Sequence, residues 1–431
     1  MASWSSSNDW IGIYNYDDSN ESYLYWLYTD GNQEFSYEII ESGDIYFSPI
    51  TLPTGEYEVR LFYNDSYELV TSFPFTITDS CNDIPISNYE DSFRAMSLNI
   101  WVSGQYGYGG LERIAEIIAN LDIDIIGFQE TDYSSFLEIQ TLLENYEDYE
   151  ELYIAPSEAS DWNTRILSRF SIIDIYDYNL YGVGASLIIP SDDTLKFISS
   201  HLSAYPYGPY SLYEGYSIEE VLDDELMYRY QENLDIYNQI IMNPDNSPHL
   251  SVIYVGDHNT PSMLDWSTSN IKQNFGFEII WPVSEFLLNN DFFDSYRKLH
   301  PSPYDNPGLT WSPGYPKNNF DEWDVHDRID MIYYKHGEDK MLYPIESYAY
   351  DCDPWPSDHR AVITEFALCS LSSLGDLNAD SDTNVLDVVI LVNEILYPTS
   401  LFCLFIHSDI DLNEEIDILD IILLLNLILE I

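Results

Sequence analysis

Acidic, imidazole and carboxamide side chains recur in this chain at the ends of short apolar runs. Asn99 lies in SLNIW, Glu130 closes IDIIGFQE, His201 lies in KFISSHLS, and Asp257 and Asn259 close LSVIYVGDHN. Asp330 lies in DRIDMIYY, and Asp358 with His359 in WPSDHRAV, just ahead of AVITEFAL. Runs rich in β-branched and aromatic residues read as buried strands, so each polar group stands at a strand end. Four carboxylates, two imidazoles and two carboxamides brought to one sheet edge would make an oxygen-rich pocket. That donor set suits a hard cation such as Mg²⁺ or Mn²⁺. A cation there polarises a phosphoryl oxygen, while a carboxylate or imidazole activates water. Taken singly, each residue has a plainer reading as a turn former, a loop cap or a satisfied core group. Strand alternation turns His258 away from the face of Asp257 and Asn259, which makes it a packing residue.

The elements that must position these groups fall into three segments. Residues 1–80 alternate WIGIYNY, YLYWLYT, GEYEVRLFYN and SFPFTIT with the turn signals DDSN, DGN and PTG. That pattern predicts an all-β sandwich domain. CNDIPISNYEDS, residues 81–92, reads as a linker. From 93 to 368 strands alternate with helices, the pattern of an α/β domain. Leu111, Ile114, Ala115, Ile118 and Leu121 line one face of such a helix. Residues 371–431 contain no Lys or Arg and hold two related units, with Asp376 matched by Asp409. Asp376, Asn378, Asp380, Asn384 and Asp387 in the first unit, and Asp409, Asp411, Asn413, Asp417 and Asp420 in the second, occupy positions 1, 3, 5, 9 and 12 of a loop. Oxygen ligands at that spacing, closed by a carboxylate at a helix start, suit Ca²⁺ and predict a small α-helical calcium-loop domain. Without metal the same residues would be N-capped, acid-faced helices.

The charge restricts what such a chain can touch. Its 75 acidic residues against 15 basic ones give a formal net charge of −60. Such a surface repels nucleic acid and anionic lipid at low salt, and suits saline or calcium-rich surroundings, where screening shortens its reach. Simple solubility is the plainer account of the same acidity. All the basic residues but Arg60 lie between Arg94 and Arg360, without forming a stripe. Arg165, Arg229 and Gln231 are candidate substrate contacts. Tyr205, Tyr207, Tyr210, Tyr213 and Tyr216 offer ring faces for stacking, although in a chain with 38 tyrosines they also read as ordinary surface residues. IDILDIILLLNLILEI at 416–431 is too short and too polar to span a bilayer, and the N-terminus reads as lacking a basic-then-apolar leader. Cys369 and Cys403 flank one of the two C-terminal repeats and would pair or stay as buried thiols; sequence leaves both open.

The ordered set SLNIW, GFQE, SHLS, GDHN, DRID and SDH resembles the endonuclease/exonuclease/phosphatase superfamily, the DNase I-like fold, over residues 93–368. The resemblance implies a four-layered α/β sandwich that cleaves phosphoester bonds with Mg²⁺ or Mn²⁺. It implies Glu130 as metal ligand, with Asn99 beside it and Asp358 in support. Asp257 would orient or deprotonate the attacking water, and Asn259 would bind phosphate. His359 would contact the phosphate or act as base, oriented by Asp330, and His201 would stabilise the phosphoryl oxygens. His258 departs from the family, which usually has a bulky apolar residue there. The N-terminal segment resembles Ig-like modules of the SKICH/CARF-like type. The C-terminal repeats resemble type I dockerins, which implies Ca²⁺ and a cohesin-like partner, although Ser381 and Glu414 replace the usual loop glycines. These resemblances point to a secreted or cell-surface phosphoesterase acting on nucleic acid, a phospholipid headgroup or a small phosphoester. The alternative is a calcium-dependent extracellular assembly protein that uses an inactive enzyme-like domain as scaffold.

Overall fold

Alternating residues of the first segment form one antiparallel sheet from β1 (Trp10–Asn15), β2 (Tyr25–Tyr28), β3 (Gly55–Phe62) and β4 (Leu69–Ile77), in the order β2-β1-β3-β4. Period-two alternation puts Trp10, Tyr14, Tyr28 and Phe62 in one cluster and Ile13 and Tyr57 in another. The computed structural model describes residues 6–33, 39, 45, 52, 55–77, 89–157, 164–177, 179–270, 274–311, 326–352, 354–370, 375–378, 380, 382–399, 401–411, 413 and 415–429. Among these, the N-terminal segment contributes this single sheet rather than two facing ones. Residues 81–88 of the expected linker, Ser381 and Glu414 lie outside the described residues. The chain divides into two compact units, Met1–Asp83 with Cys352–Trp355, and Ile84–Asp351 with Pro356–Ile431.

The second unit is built on two six-stranded sheets. One contains β5 (Ser92–Asn99), β6 (Ile125–Gln129), β7 (Tyr153–Ala155), β8 (Arg165–Ser168) and, from the far end of the chain, β15 (Lys340–Tyr350) and β16 (Ala361–Ser370). The other contains β9 (Ser171–Tyr176), β10 (Gly182–Ile188), β11 (Thr194–His201), β12 (Ser251–Asp257), β13 (Phe293–Asp294) and β14 (Asp330–Lys335). Their orders are β15-β16-β5-β6-β8-β7 and β13-β14-β12-β11-β10-β9. In each, a parallel pair, β5 with β6 or β11 with β12, is flanked by antiparallel neighbours.

Alternation sorts the strand residues between two cores. Ala95, Ile125, Ile253 and Val255 pack between the sheets. Val252, Tyr254 and Met331 face outward, against Ile236, Val283 and Leu287 from the helices Arg229–Ile236 and Pro282–Asn289. The helix expected from the spacing of Leu111 to Leu121 forms over Gly110–Asn120 and buries Ile114, Ala115, Ile117 and Ile118. Each fully buried aliphatic side chain contributes about 1.5–3 kcal/mol, so mispairing a central strand by one residue would expose a whole face. At one end the sheets approach so closely that a Cβ on Gly127 would lie 2.3 Å from Val255 Cγ2.

The C-terminal helices Val385–Leu396 and Ile418–Leu429 pack through Leu391, Ile410 and Leu424. The intervening helix Phe402–Ser408 is fastened to β16 by a Cys369–Cys403 disulfide. Its first amides, on Phe402 and Cys403, donate to Asp91 at 2.7 and 2.9 Å. Both acidic loops close the same way. Asp387 accepts from the amides of Leu377, Asn378 and Asn384, and Asp420 from those of Ile410, Asp411 and Asp417. Asp376 accepts from Asp380 N, and Asp409 from Asn413 N.

Candidate active site

Strand register gathers the polar groups at one edge. His201 ends β11 and pairs in register with Asp257 at the end of β12, which pairs with Asp330 at the start of β14. In the other sheet Asn99 ends β5 beside Gln129, and Glu130 follows directly. The antiparallel strand β16 begins two residues after His359, beside the end of β5. Parallel strands therefore deliver their C-terminal residues, and antiparallel ones their N-terminal residues, to the same rim.

Asn99 ties the two sheets together. Its Nδ2 donates to Glu130 Oε1 at 3.1 Å and to Asp257 Oδ2 at 3.0 Å, while its Oδ1 accepts from Trp101 N. Glu130 Oε2 accepts from Val102 N at 2.7 Å. That amide is presented by Trp101, Val102 and Ser103, three successive residues with φ near +50° to +60°, a conformation costly for L-residues. Glu130 is itself left-handed, at φ 56°.

Asp257 is buried at the centre. Its Oδ1 accepts from Asn259 N at 2.9 Å, and its Oδ2 lies 3.5 Å from His201 Nε2 and 3.8 Å from His359 Nε2. Asn259 Nδ2 donates to Leu202 O. The His359 Nδ1 lies 2.8 Å from Asp330 Oδ2, and Thr310 Oγ1 accepts from the amides of Ile329 and Asp330. Ser357 holds the last motif, donating to Asn99 O and accepting from His359 N. Burial, followed by the Asp330 carboxylate, pushes Asp257 up to about 6, against the pull of His359 and His201. Burial alone would lower His359, but Asp330 and Asp257 overcome it and hold the imidazole up at about 10. Burial also pushes Asp358 up to about 6; His359 opposes the rise and Glu130 adds to it.

All eight expected residues, Asn99, Glu130, His201, Asp257, Asn259, Asp330, Asp358 and His359, are thus brought to one rim. A cleft of about 550 Å³ opens over them. Its wall is aromatic: Tyr207 and Tyr210 pack against Trp311 at 5.5 and 5.9 Å, with Tyr205 and Trp101 beside them. Tyr213 packs on Phe275 instead, and neither it nor Tyr216 lines the cleft. The sequence reading missed Trp311, which bridges through its backbone to both Asp327 and His359; its one signal was an aromatic residue within the turn-rich GLTWSPG. It also missed Thr310, Ser357 and the turn Trp101–Ser103.

All three expected substrate contacts lie elsewhere. Arg229 is fully buried, ion-paired with Glu225, and donates to the carbonyls of Ser203 and Pro206. It fixes the loop that carries Tyr205 and cannot reach a ligand. Gln231 is exposed, away from the cleft, and donates to Leu226 O. Arg165 is buried as well and donates to Thr164 O. The ion pair with Glu225 and the two loop carbonyls turn the Arg229 head inward. His258 is buried in the outward core, edge-on to Tyr254 and Tyr333, with Nδ1 3.0 Å from Gly256 O.

Residues 96–359 match the Endonuclease/Exonuclease/phosphatase family, and the chain belongs to that family. It is also similar to a protein of Caenorhabditis elegans, F14F9.5, which is uncharacterised: 26% identical over 313 residues, 68% of this chain and 97% of that one. Among solved structures it is similar to the human Nocturnin catalytic domain with bound sulfate, at 15% identity and TM-score 0.43 over 66% of this chain and 96% of that. It is likewise similar to humanised D. rerio TDP2, at 14% identity and TM-score 0.40 over 64% and 99%.

Proposed function

We propose that this protein hydrolyses phosphoesters with the help of a divalent cation. The observation that carries the reading is the Asn99–Asp257 hydrogen bond across two sheets, which sets Glu130 on one side and the Asp330–His359 pair on the other. Two sets of groups could hold the cation. Asp257, Asp330 and His359 have ligand atoms within 4.8 Å of one another, but His359 Nδ1 is already engaged by Asp330. Glu130 and Asp358 are the better fit. Both line the cleft, which Asp330 does not; Asp358 Oδ1, like Asp330 Oδ1, is buried with no hydrogen-bond partner, a state that costs energy unless something offsets it. Glu130 and Asp358 supply the hard oxygens that Mg²⁺ or Mn²⁺ takes, while Asn99, expected beside them as a ligand, turns its Nδ2 to Glu130 and its Oδ1 to Trp101 N and so positions Glu130 instead. When bound there, such an ion neutralises charge on the phosphoryl and leaving oxygens.

The protein groups divide the remaining work. His359, held protonated between two carboxylates, offers Nε2–H to a phosphoryl oxygen, with His201 and the Asn259 carboxamide on the same rim. Asp257, ionised at neutral pH, takes the proton of the water that attacks phosphorus as the P–O ester bond breaks. The carboxylates beside His359 therefore favour Asp257 over His359 as base, because an imidazolium has no lone pair to accept with.

The substrate carries few charges besides the scissile phosphate and places a ring or apolar group on the aromatic wall. No described cleft residue is Lys or Arg. Arg94, Arg113, Arg169, Arg229, Arg297, Arg328, Lys335, Lys340 and Arg360 are each ion-paired to Asp or Glu. A duplex nuclease needs cations free to displace counterions from the backbone. The test is a panel of plasmid DNA, RNA, sphingomyelin, inositol phosphates and nucleotide aryl esters, assayed from low to molar salt. Preference for the aryl esters supports the reading, and low-salt cleavage of plasmid as the best reaction overturns it.

The C-terminal loops bind Ca²⁺ in this proposal, supported by their matched carboxylate and amide pattern. Val385, Leu386, Val389, Ile418, Leu419 and Ile422, exposed on the two repeat helices, would serve a cohesin-like partner. The Cys369–Cys403 disulfide supports an extracellular or cell-surface setting, since such bonds persist in oxidising compartments.

A further inference from the structure

We propose that the aromatic face of the N-terminal sheet is a binding site for a trimethylammonium group, a function separate from the hydrolase reading. Trp10, Gly12 and Tyr14 share one face of β1 by alternation, and Gly12 pairs in register with Trp26 of β2. A Cβ on Gly12 would stand 3.0 Å from the Trp10 ring and 2.7 Å from the Tyr14 ring, so only glycine leaves these rings their places. Trp10 is buried, stacked on Phe62 at 4.4 Å, and its Nε1 donates to Ser66 O. Around this fixed indole stand Tyr23, Trp26 and Tyr67, with centroids 5.8, 6.1 and 5.7 Å away and ring planes at 77°, 83° and 82° to it. Together with Asp65 and Ser66 they bound a pocket of about 120 Å³. Asp65 is held in place by the Tyr28 hydroxyl at 3.1 Å and by its own amide on Asn8 O.

The chemistry of the occupant follows from shape and charge. Rings set nearly perpendicular enclose a compact rounded group, whereas a sugar ring asks for a flat platform. The volume equals roughly four waters at about 30 Å³ each, enough for a headgroup of four or five heavy atoms. Ring faces carry negative potential and attract a cation, most strongly one that gives up little hydration. The Asp65 carboxylate on the pocket wall and the net charge of −60 add to that preference and exclude anions. The same sheet face already seats one cation on a ring, with Arg60 4.3 Å over Tyr14. That guanidinium is committed to Glu58, Asp18 O and Asn20.

The test is calorimetric titration of the full chain with choline chloride at constant ionic strength, beside the neutral isostere 3,3-dimethylbutanol. Saturable choline binding is expected, about tenfold tighter than the alcohol, in line with the strength of desolvated cation–ring contacts. Trp26→Ala and Tyr23→Ala should abolish it. Asp65→Asn, nearly isosteric, should weaken it several-fold with an unchanged circular dichroism spectrum and melting temperature. No saturable binding, equal binding of the alcohol, or full binding by both Trp26→Ala and Asp65→Asn would overturn the assignment, as would displacement of choline by cellobiose. Flotation with phosphatidylcholine vesicles separates the sources of the group. Co-flotation assigns a lipid headgroup and its absence a soluble ligand, and either result upholds the trimethylammonium site.

Discussion

Asn99→Asp would turn the bond between the two sheets into a repulsion. The wild-type Nδ2 lies 3.1 Å from Glu130 and 3.0 Å from Asp257. A carboxylate there would face two others, each contact costing about 5 kcal/mol at an effective dielectric of about 20. The protein escapes most of that by binding a proton. Holding a carboxyl of ordinary pKa near 4 protonated at pH 7 costs about 1.4 kcal/mol per unit, so the ceiling is about 4 kcal/mol. The sign follows from the protons bound. The folded variant carries one more proton than the unfolded chain above pH 4, so the loss reaches about 4 kcal/mol at pH 7, keeps growing at higher pH, and fades as pH falls to 4. A divalent ion at Glu130 and Asp358 offsets the same repulsion without a proton. Urea unfolding in EDTA should therefore show the variant about 4 kcal/mol less stable than wild type at pH 7 and nearly equal at pH 4, with millimolar Mg²⁺ or Mn²⁺ recovering more stability in the variant. A variant as stable as wild type in EDTA at pH 7 would refute the placement of Asn99 between two carboxylates.

Two further predictions concern basic residues. Arg229→Met should lower stability by about 3–5 kcal/mol in thermal or urea unfolding, because it leaves buried Glu225 unpaired, and Glu225→Met in the same chain should recover most of the loss. A raised KM with unchanged melting would instead return Arg229 to the substrate. Lys196 is buried with Nζ near the carbonyls of Ile240 and Ile241, and burial lowers it from 10.5 to about 8. Between those values the unfolded chain binds more protons, so stability rises with pH. Relative to Lys196→Met, wild type should gain about 2 kcal/mol between pH 8 and 10 in urea midpoints, and parallel pH profiles for the two proteins would contradict it.

Much of the candidate site was legible because strand alternation is rigid. Once VIYVGD is a strand, Asp257 must share a face with Ile253 and Val255, and His258 must join Tyr254 on the other. The same parity brought Asn99 to Asp257 from a strand 158 residues away in sequence. Charge direction was harder to read. The Arg229 side chain turns inward because Glu225, four residues before it at the end of the preceding helix, pairs with it and two loop carbonyls need donors, and only the fold reveals those carbonyls. Trp311 and the left-handed turn at Trp101–Ser103 left no periodic trace, since loops follow no alternation. In the N-terminal segment the alternation was visible, but the perpendicular setting of Tyr23, Trp26 and Tyr67 around Trp10 depends on hairpin geometry. Likewise Cys369 and Cys403 gave no pairing by spacing, until β16 and the helix Phe402–Ser408 brought them together.

The central claim is that the Glu130 and His359 rim hydrolyses phosphoesters. Its most direct test is turnover of an aryl phosphodiester with Mg²⁺ or Mn²⁺ by wild type, Glu130→Ala and His359→Ala, with folding followed by circular dichroism. We expect metal-dependent release of the aryl alcohol by wild type and at least a hundredfold loss in each folded variant, the scale of a removed acid–base or charge-stabilising group. Near-normal rates in either variant, or no turnover by folded wild type with any metal or salt, would contradict the account.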